Sequence, residues 1–279
     1  MFGIAGIIVV FGAVIGGYLV EHGNLKVLIQ PAELLIIGGA AAGTVLIANP
    51  VTVLKGIADG MGAVFAGSKF DKPAYLKILT QLNAVMQKAR KEGLAGIETD
   101  VEKAETSELF KAWDHHIRDF VCDTLRVAMA GGPTPHDLDQ LMELDMEVHH
   151  LEAHQPVNAL TTVADALPGL GIVAAVLGVV ITMQALGGPP EEIGHKVAAA
   201  LVGTFLGILL CYGLLGPIAS KMGKAADEEG HYYHTVRVGV ISFLKGCSPL
   251  IALEFARRVA PGYARPTFAE LEAALRNKG

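Results

Sequence analysis

The apolar positions of this chain fall into four runs without a single charged residue, at 1–20, 34–54, 166–190 and 197–220. An α-helix rises about 1.5 Å per residue, so about 20 apolar residues cross a hydrocarbon core of roughly 30 Å. Each run meets that length and predicts a membrane-spanning helix. Between the second and third runs the pattern changes. Tyr75, Leu76, Leu79, Leu82, Val85 and Met86 recur at helical spacing, and Ile117, Phe120, Val121 and Leu125 repeat it. Thr134-Pro135-His136-Asp137 reads as a capped helix start, after which Leu138, Leu141, Met142 and Val148 are predicted to line one face. After the fourth run, Thr267-Phe268-Ala269-Glu270 is a capping-box pattern, and the helix it opens is predicted to end near Asn277. No strand alternation interrupts this series. The predicted fold is all-α: a polytopic membrane protein with four transmembrane helices and a helical cytoplasmic insertion. Its segments are a transmembrane hairpin (1–50), a cytoplasmic helical domain (51–165), a second transmembrane hairpin (166–220) and a cytoplasmic helical tail (221–279).

Composition narrows the class. Hydrophobic residues make up 52% of the 279 positions and charged residues only 18%, below the roughly 25% of soluble domains. These values exclude an ordinary soluble enzyme, a disordered chain and a secreted disulfide scaffold. Cys122, Cys211 and Cys247 show neither zinc nor redox spacing. The net charge of −6 is no footprint for nucleic acid. The first run lacks a basic leader segment, and three more runs follow, so it reads as a retained span.

Charge placement sets the topology. Of 22 lysines and arginines, 11 lie in 51–165 and nine after residue 220, leaving Lys26 and Lys196 in the two short links. Basic residues stay on the cytoplasmic side. Both termini and the large insertion are therefore expected inside, and the links outside. The links carry the turn signals Glu21-His22-Gly23-Asn24 and Gly187-Gly188-Pro189-Pro190. Gln30-Pro31-Ala32-Glu33 opens the second span, with Glu33 suited to the positive end of the helix dipole. Gly12-x-x-x-Gly16 and Gly39-x-x-x-Gly43 predict close helix approach in the first two spans.

The chain lacks His-Glu-x-x-His and a P-loop, and no constellation of catalytic groups is evident, so an enzyme is not expected. None of the four apolar runs contains Asp or Glu. A proton path inside a membrane normally uses such a group, so a conducting function predicts a partner helix that supplies it. His150 and His154 share one helix face, a possible metal pair, but with only weak extra ligands such as Glu147 a metal site is not expected. Two accounts stand for Pro168, Pro217, Thr182 and Thr204. The prolines free carbonyls and act as hinges, or they mark helix ends while the threonines bond back to their own helices. Two accounts also stand for the charged run from Lys88 to Glu92 and its continuation from Glu98 to Glu102: an electrostatic docking surface, or a solvated helix end.

The order of these features resembles the A-subunit family of bacterial flagellar motor stators (MotA), within the wider family that includes ExbB and TolQ. The resemblance rests on Gly16-Gly17-Tyr18-Leu19 and Gln30-Pro31-Ala32-Glu33-Leu34. It continues through Leu167-Pro168, Gly171 to Val180, Val202 to Leu210, Glu254-Phe255 and Arg265-Pro266-Thr267-Phe268. It implies a proton channel in the bacterial inner membrane that converts ion flow into torque. It implies a ring of five such chains around two single-span B subunits that carry the ion-binding aspartate, and a switch-ring protein of the rotor as a further partner. The third and fourth spans would line the conduit, and the first two would face lipid. By position, Pro168 and Pro217 match the family's coupling prolines, and Thr204 its pore-lining threonine. Arg90 and Glu98 match its rotor-facing charges, and Asp145 falls near a third acidic position. Sodium-driven relatives carry threonine seven residues after the first proline, where this chain has Ala175. A methyl offers no oxygen to a dehydrating sodium ion, so protons are expected. No cofactor or metal is implied. A related energiser of envelope transport and a non-conducting scaffold are the alternatives.

Overall fold

The computed structural model describes residues 2–184, 187 and 189–276. Its helices are α1 (Phe2–Val20), α2 (Leu25–Leu28), α3 (Pro31–Ala48), α4 (Val51–Ala66), α5 (Lys72–Glu92) and α6 (Glu98–Glu102). They continue as α7 (His115–Ala130), α8 (Pro135–Gln184), α9 (Pro190–Leu210), α10 (Gly216–Leu244), α11 (Pro249–Val259) and α12 (Phe268–Arg276). A 3-10 turn (Leu94–Ile97) joins α5 to α6, and a π-helical turn (Cys211–Leu215) joins α9 to α10. Among the described residues there is no strand, and four helical stretches are long and apolar enough to cross a membrane. The all-α, four-span architecture is the one the hydropathy pattern predicts.

The chain divides into two compact units, Met1–Gly67 with Ala153–Ala225, and Ser68–Glu152 with Ala226–Gly279. In the first unit, Val53 and Ile57 of α4 pack with Val157 and Leu160 of α8 and Ile218 and Met222 of α10. A second cluster joins Ile37 and Ala41 of α3 to Val163, Ala164, Leu167 and Ala174 of α8 and Cys211.

The tightest packing in this unit runs between α8 and α9. A Cβ added to Gly171 would lie 2.7 Å from the Gly203 carbonyl and 3.2 Å from the Gly207 Cα. One added to Gly207 would lie 2.5 Å from the Leu167 carbonyl, and one on Gly178 would lie 2.7 Å from the Ala200 Cβ. The two helices therefore touch backbone to backbone through Gly171, Ala174 and Gly178 on one side and Ala200, Gly203 and Gly207 on the other. Gly12, Gly16, Gly39 and Gly43 meet nothing within 4 Å among the described residues. The close approach predicted for α1 and α3 from their glycine spacing thus lies at α8 and α9 instead. A uniformly apolar helix carries no sequence record of which face meets a neighbour.

Two helices extend beyond the apolar runs. α8 is one 50-residue helix with Pro156 and Pro168 inside it. α9 opens at Pro190, with Glu191 and Glu192 in its first turn. Charged residues ended the apolar runs but not the helices. At the first link, His22 adopts φ 58° and the Gly23 amide donates to the Tyr18 carbonyl at 2.9 Å, which closes the predicted turn. The second link's Gly188 lies outside the described residues, as does the expected helix end at Asn277.

The core of the second unit carries the predicted amphipathic faces. Tyr75, Leu79, Leu82, Val85 and Met86 of α5 are buried with Ile117, Phe120, Val121 and Leu125 of α7 and with Val236 and Val240 of α10. On α8, Leu138 and Met142 join this core, but Leu141 and Val148 are 43% and 54% exposed, so the predicted face is narrower than its apolar residues. The Thr134 amide donates to the Asp137 carboxylate at 2.7 Å, and the Asp137 amide donates to the Thr134 hydroxyl at 3.3 Å, capping α8 as predicted. Thr267 and Glu270 make the matching exchange at 2.6 and 3.2 Å and start α12.

The C-terminal motif is a structural clamp. Arg257 donates to both Glu254 oxygens at 2.7 Å and to the Pro266 carbonyl at 2.9 Å. Hydrogen bonds from Arg257 and Arg258 hold the Glu254 carboxyl down to about 2, against a burial effect in the opposite direction.

Gly171→Ala should destabilise the detergent-solubilised protein by about 1–3 kcal/mol through overpacking. Gly169→Ala, where nothing lies within 4 Å, should be neutral or slightly stabilising. Thermal unfolding of the two variants checks this contrast. A second expectation concerns acid. The Glu254 carboxyl is depressed on folding, so its contribution is complete above about 4.5 and fades as pH falls through about 2. Glu254→Gln should cost on the order of 1–3 kcal/mol at pH 7, allowing for partial solvent screening. In unfolding curves the deficit should shrink as pH is lowered through that window.

Candidate functional site: the α8–α9 seam and a charged ledge

Pro168 lies half-buried inside α8, just after Leu167, whose carbonyl faces Gly207 across the seam. Proline cannot donate to the carbonyl four residues back and its ring crowds that carbonyl. The helix nonetheless continues through it, and around Pro168 α8 is packed on α3 and α9. Pro217 is exposed at the second position of α10, directly after the π-helical turn. The Gly216 amide donates to the Cys211 carbonyl, five residues back. This wider turn accommodates a residue that lacks an amide donor. Both prolines are therefore interior to helical runs, and neither marks a helix end. The hinge account of the residues gains from this, and the helix-end account loses.

Ala175 and Thr204 are half-buried at the edges of the same seam. The Ala175 amide nitrogen lies 3.2 Å from the point where a Gly203 Cβ would sit, and the Thr204 Cα lies 3.3 Å from the equivalent point at Gly171. The structure thus brings Ala175, Thr204 and the segment around Pro168 to one helix pair. Thr182 donates to the Gly178 carbonyl one turn back at 2.8 Å, so its hydroxyl is satisfied within its own helix. The Thr204 hydroxyl has no hydrogen-bond partner among the described residues.

One residue at the seam was not singled out for function by its sequence position. Glu33 stands in the first turn of α3, where an acid complements the helix dipole. It is only 6% exposed, and its Oε2 has no hydrogen-bond partner. A Cβ on Gly203 would lie 2.6 Å from that oxygen, and one on Gly178 would lie 3.5 Å from Oε1. The signals in the sequence are an acid set between a helix-opening proline and an apolar run, and its place in the Gln30-Pro31-Ala32-Glu33-Leu34 stretch of the family resemblance.

The predicted charged residues lie in the second unit. Arg90 is exposed in the last turn of α5, and Glu98 is exposed at the start of α6. Neither forms an ion pair among the described residues. Their neighbours do. Lys88 contacts the Asp100 carboxylate at 2.6 Å, and Ser107 donates to its other oxygen at 2.7 Å. Burial opposes ionisation of Asp100, but the hydrogen bonds from Lys88 and Ser107 outweigh it and hold the carboxyl below its ordinary range. Gly93, at φ 78°, lets the chain reverse between the two helices. The inner pair thereby fixes the ledge from which Arg90 and Glu98 project. Asp145 is not part of this ledge. It lies on α8, with Asp123, Thr124 and Val127 of α7 around the same groove, and burial raises its carboxyl.

Comparison with known proteins follows these features. Residues 4–93 match the motility protein A N-terminal model, and residues 112–235 match the MotA/TolQ/ExbB proton channel family. The chain is similar to motility protein A of Salmonella typhimurium, at 39% identity over 97% of this chain and 94% of that protein. It is similar to chemotaxis protein LafT of Vibrio parahaemolyticus, at 36% identity over 96% and 95%. Among solved structures it resembles a chain of C. jejuni MotAB, with a TM-score of 0.77, 18% identity and coverage of 95% and 98%. It also resembles one from the Bacillus subtilis flagellar MotAB stator complex, at 0.72, 24%, 90% and 92%. On the extent and level of this similarity, the chain belongs to the motility protein A branch of the MotA/TolQ/ExbB proton channel family.

Proposed function

We propose that this chain is the A subunit of a flagellar motor stator. With a single-span B subunit it forms a proton channel in the bacterial inner membrane and turns proton flow into torque. The observation that carries this reading is the 39% identity to a motility protein A over nearly the full length of both chains. The solved complexes that share its fold contain MotA with MotB, which supports a B-type partner here. The charge distribution supports a topology with both termini and the insertion on the cytoplasmic side.

The mechanism follows from the seam. A helix pair in backbone contact has few ways to repack, and packed interfaces switch between discrete arrangements. A partner helix whose aspartate becomes neutral on protonation loses most of its cost in an apolar conduit. Its changed contact with α8 and α9 would favour one packing over another, with Pro168 and the turn before Pro217 as the flexible points. Several A chains, five in our reading, would surround the B helices and step around them. Arg90 and Glu98 then act on the rotor's switch-ring protein as steering charges held on the Lys88–Asp100 ledge, with Asp145 as a further acidic position. Ala175 offers a methyl where a sodium path would need an oxygen, which supports protons as the driving ion.

Co-expression with a one-span partner bearing an intramembrane aspartate, followed by mass determination in detergent, tests the assembly. Several copies of this chain around two partner chains is the expected result, and a chain that purifies without the partner would refute the reading. Arg90→Glu combined with Glu98→Lys should lower motor torque at least tenfold in a tethered-bead assay. Proton flux in vesicles should stay within twofold of the parent. An equal fall in both would show that these charges do not act at the rotor.

A further inference from the structure

The buried carboxyl of Glu33 is not used by the mechanism above, and its surroundings are specific. Three elements meet at it: the first turn of α3, α8 at Gly178 and α9 at Ala200 and Gly203. Any side chain at Gly203 would occupy the position of Glu33 Oε2, so the glycine both permits the helix seam and leaves room for the acid. No hydrogen-bond donor reaches that oxygen, and no cation pairs with the residue among the described residues. Lys196, the basic residue of α9, is engaged by Glu192 at 3.0 Å. An unpaired carboxylate withdrawn from water costs several kcal/mol, whereas the neutral acid does not carry that penalty. A crevice that admits the carboxyl group and provides no countercharge is built for an acid that carries a proton.

We propose that Glu33 is a proton-binding site supplied by this chain itself, which loads protons before they reach the partner's aspartate. This inference rests on the channel reading above and extends it. In the proposed topology α3 begins, α8 ends and α9 begins on the outer side, so Glu33 stands toward the outer end of the conduit. The step conserves atoms and charge. The Glu33 acid releases its proton along water toward the aspartate carboxylate on the partner helix, and the resulting carboxylate takes up a proton from the outer aqueous phase. The anion is short-lived because, apart from the α3 dipole, no donor reaches its Oε2 and no cation pairs with it among the described residues. The partner's aspartate keeps its role, and this chain adds one acid to the path: it lies just before the second apolar run, and folding carries it to the seam.

The test uses the complex co-expressed with its one-span partner, reconstituted in vesicles. Glu33→Gln keeps the shape of the side chain and removes the titrating proton. It should reduce proton flux at least tenfold while the mass of the complex is unchanged, and Glu33→Asp should restore a substantial part of that flux. Infrared difference spectra between two outer pH values should show a protonated-carboxyl C=O band that shifts in Glu33→Asp and disappears in Glu33→Gln. Flux within twofold of the parent in Glu33→Gln, with the same dependence on outer pH, would overturn the proposal. If Glu33→Gln does not assemble, the spectra of the parent and Glu33→Asp decide: a shifted band supports the site, and identical spectra reject it. A parent complex that conducts no protons would instead refute the channel reading, independently of Glu33.

Discussion

The contact between α8 and α9 is the constraint on which the membrane unit depends. Two helices can approach until backbone meets backbone only where no Cβ stands between them. Gly171, Gly178, Gly203 and Gly207 provide that gap, and Ala174 and Ala200 fill what remains. In a bilayer, apolar side chains gain little by leaving lipid, so association relies on close van der Waals packing. A seam of this kind supplies it. It also makes the pair intolerant of small displacements, a useful property for an element that must transmit a discrete change rather than a graded one. The residues proposed for the ion path and for coupling stand at its margins: Ala175 and Thr204 beside it, and Pro168 next to the carbonyl that faces Gly207.

The second unit is assembled by different physics. Its core is a conventional apolar cluster between α5, α7, α10 and α11, and its charges are arranged in layers. Lys88, Asp100 and Ser107 are tied together and fix the geometry, while Arg90 and Glu98 are left exposed. An ion pair that holds two segments and a pair of exposed charges occupy nearby positions in the sequence. Their roles separate only because Gly93 and the 3-10 turn fold α6 back toward α5. The hydrogen bonds from Arg257 to Glu254 and to the Pro266 carbonyl likewise make these residues a fastening for the C-terminal segment.

Much of this protein is determined locally. A charge-free run of about 20 residues has one stable solution in a bilayer, because a helix satisfies its own backbone hydrogen bonds. The number of spans and the all-α class therefore follow from the sequence alone. So do the caps at Thr134 and Thr267 and the buried faces of α5 and α7, whose periodicity records which side meets the core. The family resemblance is legible in local stretches too: first Gly16-Gly17-Tyr18-Leu19 and Gln30-Pro31-Ala32-Glu33-Leu34, then the runs from Leu167 and Val202. What the sequence alone could not decide is which glycines meet a neighbour. Gly12, Gly16, Gly39 and Gly43 have the same spacing as Gly203 and Gly207, yet only the last two lie in a close contact among the described residues. Helix ends were also out of reach, since charged residues stop an apolar run without stopping a helix, as α8 and α9 show. Glu33 is the plainest case. Its position before an apolar run describes an ordinary helix start, and its burial depends on three elements far apart in the chain. Only the tertiary structure brings them together, because burial is a property of neighbours in space and leaves no periodic mark along the sequence.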